Sequence, residues 1–528
     1  MATAPAAIRP KGRNGMDTQA SAMEARLFPV VETQYGKVRG LNHQGVKTFK
    51  GVRYGASTAG KNRFMPPQPV KPWVGVVDAF DYGQVNPQTP ADRRMDYTNL
   101  ISWHRQPGGI GEDCLTLNIW SRSVNDNARR AVTVVLHGGG FATGSGNHQD
   151  FDGEAAARLD DIVHVSVSHR LGAFGYIDLA DLGAPEEFKY AGVAGIMDLV
   201  AALKWIQKNI ERFGGDPNRV LVYGQSGGGA KTGTLLATPS AKGLFHRAGI
   251  QSGSTLRLME REQGAKNAEA ILKALGMDKK KIPDLQKLPF STIMAAQATL
   301  PLETRFSPII GNEVLPHHPF HPAAPPESAD IPVIISTTLD DAALSLTNFD
   351  LTESQLKDNL EKQFGGNAGR IYKLYRDAYP DTSPYLIQAR LTTDRGFRYS
   401  SFKQAELKAA LNRAPVYYYL WEWAAQAYDG KFGAVHGVDV APAVHDYRGP
   451  NNDSGQKAGK LLVDRFAAVW TNFAKTGVPN SDLTPEWPPY DLKNRAMMVF
   501  NNNTRVENDY RREFRLLWEE LGGAAIGG

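Results

Sequence analysis

The residues suited to chemistry sit in two glycine-rich turns. Gly224, Gln225, Ser226, Gly227 and Gly228 form a G-x-S-x-G pattern, and His137, Gly138, Gly139, Gly140 and Phe141 form the second turn. In serine-mediated acyl transfer a hydroxyl attacks a carbonyl carbon and a neutral histidine takes its proton. A carboxylate orients that histidine, and N–H donors hold the oxyanion. A serine flanked by glycines two residues away on either side suits the nucleophile, because side chains there would collide in the sharp turn that exposes it. Three successive glycines suit an oxyanion hole, since bare backbone N–H groups can approach a substrate oxygen. Taken alone, G-x-S-x-G is also found as a plain turn with an idle serine, so the elements around it must decide.

Each turn needs a strand that ends on it. Val220 to Tyr223 is a β-branched and aromatic run ahead of the serine, and Ala230 to Leu236 continues as a helix. Val132 to Leu136 is an unbroken apolar run leading into His137, as in a strand covered on both faces. Further strands are expected in Glu112–Trp120, Ile162–Ser168, Pro332–Ser336, Val416–Leu420 and Met497–Phe500, the last of these closing the series, with a strand end at Ile250–Gly253. Short antiparallel strands are expected between Phe28 and Phe49. Helical spacing covers Leu199–Ile210, Lys266–Leu275, Asp284–Gln297, Thr352–Phe364, Asn367–Tyr379 and Ala458–Ala474. Strands alternating with helices predict an α/β class with a large, mostly parallel central sheet, helices on both faces and antiparallel hairpins at the N-terminal edge. Gln84–Gly109 has little periodicity and is expected to form a long surface loop.

The 528 residues are 42% hydrophobic, ample for a large core. With 60 basic and 55 acidic side chains, the net charge is only +5, and no long Lys/Arg run points to nucleic acid. Nothing approaches the ~20 apolar residues of a membrane span. Residues 1–27 are Ala-rich and polar without an apolar signal core and read as a disordered tail, either native or left behind a removed signal. Residues 28–522 read as one domain with a helical insertion at about 344–400, and residues 523–528 as a flexible end. Cys114 is the only cysteine, so no intrachain disulfide forms, and its strand-like surroundings suit a buried structural thiol.

Ordered motifs along nearly the whole chain resemble the type-B carboxylesterases, a family of the α/β-hydrolase fold. They are FKGVRYG from Phe49 to Gly55, GEDCLTLNIW from Gly111 to Trp120, HGGGF from His137, and SHRLGAFGY from Ser168 to Tyr176. FGGDPNRVLVYGQSGGGA from Phe213 to Ala230, GLFHRAGIQSGS from Gly243 to Ser254 and WPPYD from Trp487 to Asp491 continue the series. The look is closest to bacterial p-nitrobenzyl-type carboxylesterases.

The resemblance implies an α/β-hydrolase with helical insertions around an active-site gorge, acting on small-molecule esters without metal or cofactor. It also implies a catalytic acid at Asp341, where the family usually has glutamate, with Asp340 as second choice. The histidine is implied at His436 in the segment Gly433–Gly437, with His445 a decoy nine residues on. The order Ser226, Asp341, His436 is that of α/β-hydrolases. Oxyanion donors are implied at the N–H groups of Gly139, Gly140 and Gly227, and Phe141 and Gln225 are expected to border the substrate. Arg63 and Glu112 match a structural buried ion pair, and Trp103 lies near a cation-binding tryptophan of choline-handling relatives, though a rim aromatic suits it better. Gln225 and Gly227 stand where the family usually has glutamate and alanine, and Gly227→Ala is expected to be tolerated. An amidase or carbamate hydrolase with the same triad, and a noncatalytic binding protein on the same fold, remain alternatives. The natural ester, the compartment and the oligomeric state are not readable.

Overall fold

Alternation along the strands decides the layering. In β7 (Arg130–Leu136), Val132, Val134 and Leu136 join one apolar core while Ala131 and Val135 join another. In β12 (Val416–Trp421), Val416, Tyr418 and Leu420 face the first core, and Tyr417, Tyr419 and Trp421 face the second. A strand buried on both faces belongs inside a sheet with helices above and below. The computed structural model describes residues 23–89, 96–101, 107–448 and 457–524 and has that arrangement.

The remaining strands of the large sheet are β3 (Leu41–His43), β4 (Val46–Arg53), β6 (Thr116–Ser121), β8 (Val163–Val167), β9 (Gly215–Gln225), β10 (Arg247–Gln251), β11 (Val333–Thr338), β13 (Ala496–Phe500) and β14 (Arg505–Asn508). Together with β7 and β12 they make eleven strands in the order β14-β13-β12-β11-β10-β9-β7-β8-β6-β4-β3. Every neighbouring pair from β13 to β8 is parallel, and the flanking strands at both ends are antiparallel. β1 (Val30–Thr33), β2 (Gly36–Arg39) and β5 (Val76–Asp78) form a separate small sheet. After β7 the chain moves to β8 on one side, then returns to place β9 on the other. Such a reversal opens a crevice at the carboxyl ends of the two strands, where ligands bind in open α/β sheets. Both glycine turns leave from those ends.

The expected helices are present, with differences that have local causes. The stretch expected as one helix over Asp284–Gln297 is a 3-10 segment, Lys279–Lys287, and an α-helix, Phe290–Ala298. Pro289 lies between them and cannot donate the N–H that would continue the first segment. The stretch expected as an insertion holds helices Glu353–Phe364, Ala368–Ala378 and Pro384–Thr393 and a π-turn at Asp394–Arg398, and helix Tyr399–Ala409 follows. Met497–Phe500 is not the last strand. β14 follows it at the sheet edge, where its partly exposed RVEN sequence lacks an apolar signature. Helix Arg512–Leu521 also follows.

Gln84–Gly109 is only partly a surface loop: among its described residues Gln84, Thr89 and 107–109 are exposed, whereas others are interior. Asn86, Gln88, Tyr97, Leu100 and Ile101 are buried, and Gln88 exchanges two bonds with the Gly144 backbone, at 2.6 and 2.9 Å. Polar side chains buried on backbone partners carry the composition of a loop without its exposure. Of the expected tail, residues 23–27 are helical, and residues 1–22 lie outside the described residues, as do 525–528 at the other end. Among the described residues no helix is long and apolar enough to cross a membrane.

Arg63 and Glu112 form a buried two-pronged ion pair, with both bonds at 2.6 Å. The remaining arm of Arg63 donates to the carbonyls of Leu285 and Leu288 at 2.7 Å, tying the N-terminal segment to the chain before Phe290. Arg63→Met leaves the Glu112 carboxylate buried and unpaired. It is expected to lower the unfolding free energy by about 3–5 kcal/mol in urea titrations.

Candidate active site

The turn after β9 is strained at one residue. Ser226 has φ 59° and ψ −125°, a region that side chains rarely enter, and helix Gly227–Leu236 starts directly after it. Its N–H donates to the Gln251 carbonyl at 2.8 Å, and its carbonyl accepts from Ala230 at 3.0 Å, so neighbours on both sides hold the turn. The flanking glycines are required by contact. A Cβ at Gly224 would lie 2.4 Å from the Leu136 carbonyl oxygen, and one at Gly228 would lie 1.9 Å from it. The elbow therefore presses its backbone against the end of β7, where the second turn begins.

That second turn is held by its own carbonyls. The Gly139 oxygen accepts from Ala142 and Thr143, and the Phe141 oxygen accepts from Gly172 at 2.7 Å. His137 Nδ1 lies 2.8 Å from the Gly138 oxygen. Among the described residues the N–H groups of Gly139 and Gly140 have no acceptor. Gly139 and Gly140 have φ of 85° and 62°, a conformation that favours glycine. Gly140 packs directly on Gly227, with its N and O each 2.3 Å from where a Cβ on Gly227 would stand.

His436 and Asp341 meet at the end of β11. Nδ1 of His436 lies 2.7 Å from Oδ1 of Asp341, and both side chains are buried. The other Asp341 oxygen accepts from Ser252 Oγ at 3.0 Å and from the Thr338 N–H at 2.9 Å. Arg398, itself buried against Asp394, donates to the Thr338 carbonyl at 2.6 Å and braces the strand end that carries the acid. Asp340 faces the other way. It accepts from Arg390 at 2.9 Å and from the Ala434 N–H at 2.9 Å, which latches the histidine's loop without touching the imidazole. His445 lies between Asp160 and Asp464 and pairs with those carboxylates instead.

A cavity of about 430 Å³ opens over the serine. Ser226, Gly139, Gly140, Gly227 and Phe141 border it, and Phe397 on its wall lies 5.0 Å from the His436 ring, centroid to centroid. Gln225, expected beside the substrate, does not line it. Its buried side chain lies between the two loops, with Oε1 near Gly138 and Nε2 near Gly437. Trp103 falls outside the described residues.

The carboxylesterase family model matches residues 28–518. The para-nitrobenzyl esterase of Bacillus subtilis is 31% identical over 496 residues, covering 92% of this chain and 97% of that protein. The phenmedipham hydrolase of Pseudarthrobacter oxydans is 31% identical over 511 residues, with the same coverage of 92% and 97%. Among solved structures, a Geobacillus stearothermophilus carboxylesterase superposes with a TM-score of 0.80 at 31% identity, over 93% of this chain and 99% of that one.

Sequence reasoning assigned no role to Ser252, Tyr97 or Asp439. Ser252 lies inside a quoted motif, but its bond to Asp341 depends on a φ of 46° that the sequence does not announce. Tyr97 donates to the His436 carbonyl at 3.1 Å from the stretch read as a surface loop. Asp439 lies three residues after the histidine, fully buried, with one oxygen on the Tyr419 hydroxyl at 2.7 Å.

Burial pushes the Asp439 carboxyl up to about 6, against the Tyr419 bond and with help from the Asp341 charge. A carboxyl that holds its proton more tightly when folded favours folding at low pH. That contribution is lost as pH climbs from its ordinary value near 4 through about 6. Asp439→Asn should therefore gain roughly 2–3 kcal/mol over the wild type between pH 4 and pH 7, read from urea melts at each pH.

Proposed function

The chain belongs to the carboxylesterase family and is a carboxylic ester hydrolase, and on that premise we propose that it works through an acyl-enzyme on Ser226. His436 takes the serine proton as Oγ attacks the ester carbonyl carbon, and Asp341 fixes the tautomer and stabilises the imidazolium. The carbonyl oxygen becomes the oxyanion, received by the N–H groups of Gly139, Gly140 and Gly227. As the tetrahedral intermediate collapses, the C–O bond to the alcohol breaks and His436 returns the proton to the leaving oxygen. A water, deprotonated by the same histidine, then attacks the acyl carbon and releases the acid, restoring Ser226.

The bond that carries this reading is the buried 2.7 Å contact between His436 and Asp341, with Phe397, packed on the His436 ring, lining the same cavity as Ser226. Phe141, Ala142, Ala230, Phe306 and Phe397 give that cavity apolar walls, and its 430 Å³ suits esters with short to medium acyl chains.

p-Nitrophenyl acetate and butyrate test the assignment. Ser226→Ala is expected to remove saturable hydrolysis, and Asp341→Asn to lower kcat by about 10⁴. An organophosphate should label Ser226 and, after peptide mapping, no other residue. Equal rates in wild type and Ser226→Ala would overturn the reading.

Gly227→Ala is a finer test. The structure differs from the expectation that this change is tolerated, because the added methyl would meet the Gly140 backbone rather than open space. Backbone cannot swing aside as a side-chain tip can, so Gly140 must move and its N–H with it. The expected loss is ~10²–10³ in kcat, the scale of one missing oxyanion donor. A rate within about threefold of wild type would show that Gly140 retreats without leaving its place in the hole.

A further inference from the structure

One side chain of the elbow helix has no part in the chemistry described above. Lys231 follows Ser226 by five residues and is completely buried. Its Nζ donates to the His137 carbonyl at 2.8 Å and lies 5.9 Å from the centre of the Phe141 ring. Among the described residues no carboxylate pairs with it. Its titratable neighbours are His137 and His169, whose rings stack 5.0 Å apart. Burial, and after it the nearby lysine, holds both imidazoles well below their ordinary range, and burial holds the Lys231 amine well below the usual lysine range.

A lone amine in such a place opposes folding, because removing it from water costs more than one hydrogen bond returns. Methionine is nearly the same length and would pack there without that cost. The position of the bond offers a reason for the lysine. His137 is the last residue before three glycines, which have no side chains to anchor them. The carbonyls of Gly138, Gly139 and Phe141 are satisfied within the loop or by Gly172, whereas the His137 carbonyl is tied to the helix that carries the nucleophile.

We propose that Lys231 is a positioning residue for the oxyanion hole, its bond to the His137 carbonyl fixing the Gly139 and Gly140 N–H groups relative to Ser226. This rests on the acyl-enzyme reading. Lysine at this point joins the elbow helix to the start of the glycine loop, so the two halves of the hole keep their spacing as charge develops. Placement errors near 1 Å at such a site cost on the order of 10² in rate.

The test compares Lys231→Met, Lys231→Leu and Lys231→Gln with wild type. It reads kcat and KM for p-nitrophenyl butyrate, the inhibition constant of an aryl trifluoromethyl ketone, and the thermal midpoint. The ketone adds to the serine and places an oxyanion in the hole, so its affinity reports the hole itself. In Lys231→Met, kcat is expected to fall about 10- to 100-fold, KM to stay within about threefold and ketone affinity to fall in step with kcat. The thermal midpoint is expected to hold or rise. Lys231→Gln keeps a donor and should recover part of the lost kcat.

A folded Met or Leu variant with kcat within about twofold of wild type and unchanged ketone affinity overturns the proposal. So does failure of both apolar variants to fold, which would make Lys231 a folding residue. A wild type inert toward p-nitrophenyl esters and the ketone would instead overturn the acyl-enzyme reading, and the two failures are thus distinct.

Discussion

The close contact between the ends of β7 and β9 is the constraint on which the site depends. The Leu136 carbonyl oxygen occupies the space where side chains at positions 224 and 228 would begin. Two glycines are required there, and the chain can then turn within a single residue, Ser226, at φ 59° and ψ −125°. Backbone strain of this kind costs on the order of 1–3 kcal/mol. The surroundings offset it through the bond from Ser226 N–H to Gln251, the start of a buried helix, and strands on both sides of β9. The same contact brings the glycine loop after β7 against the first residue of the elbow helix. Ser226 and the Gly139–Gly140 loop are therefore placed by one strand pairing, Leu136 opposite Gly224.

Much of this was legible in the sequence because it is local or periodic. Runs such as Val132–Leu136 and Val416–Leu420 are β-branched, aliphatic or aromatic throughout rather than alternating with charged residues, as a doubly covered strand requires, and they became β7 and β12. The G-x-S-x-G turn carries its own steric explanation. The placement of Asp341 and His436 drew on resemblance, since no spacing rule connects residues 95 apart, and the structure brings them to 2.7 Å.

What escaped reading depends on distant chain segments meeting. Gly227 read as a position with room for a methyl, because nothing local shows that residue 140 lies against it. Gln225 read as bordering substrate, yet its side chain lies between Gly138 and Gly437, two segments that only the fold brings together. Asn86 and Gln88 read as surface because polar residues usually are, and they are buried with backbone partners close by and also 56 or more residues away along the chain. Lys231 is the extreme case. Nothing in a helix sequence marks a lysine as interior, and only the His137 carbonyl above it explains where it points.

The adjacent acids Asp340 and Asp341 show how one strand end can serve two purposes. At the end of β11 the chain turns into a short 3-10 segment, so successive side chains leave in different directions. Asp341 reaches the imidazole, while Asp340 accepts the Ala434 N–H and its own N–H donates to the Ala434 carbonyl at 3.0 Å. The histidine's loop is thus latched two residues ahead of the histidine. The latch also accounts for the glycine that opens the segment Gly433–Gly437, because a Cβ on Gly433 would lie 2.3 Å from the Asp340 carboxylate. One acid holds the imidazole, and the other fixes the backbone from which the imidazole projects. Exchanging their tasks would require moving the loop as well as the charge, so aspartate at both positions does not make them interchangeable.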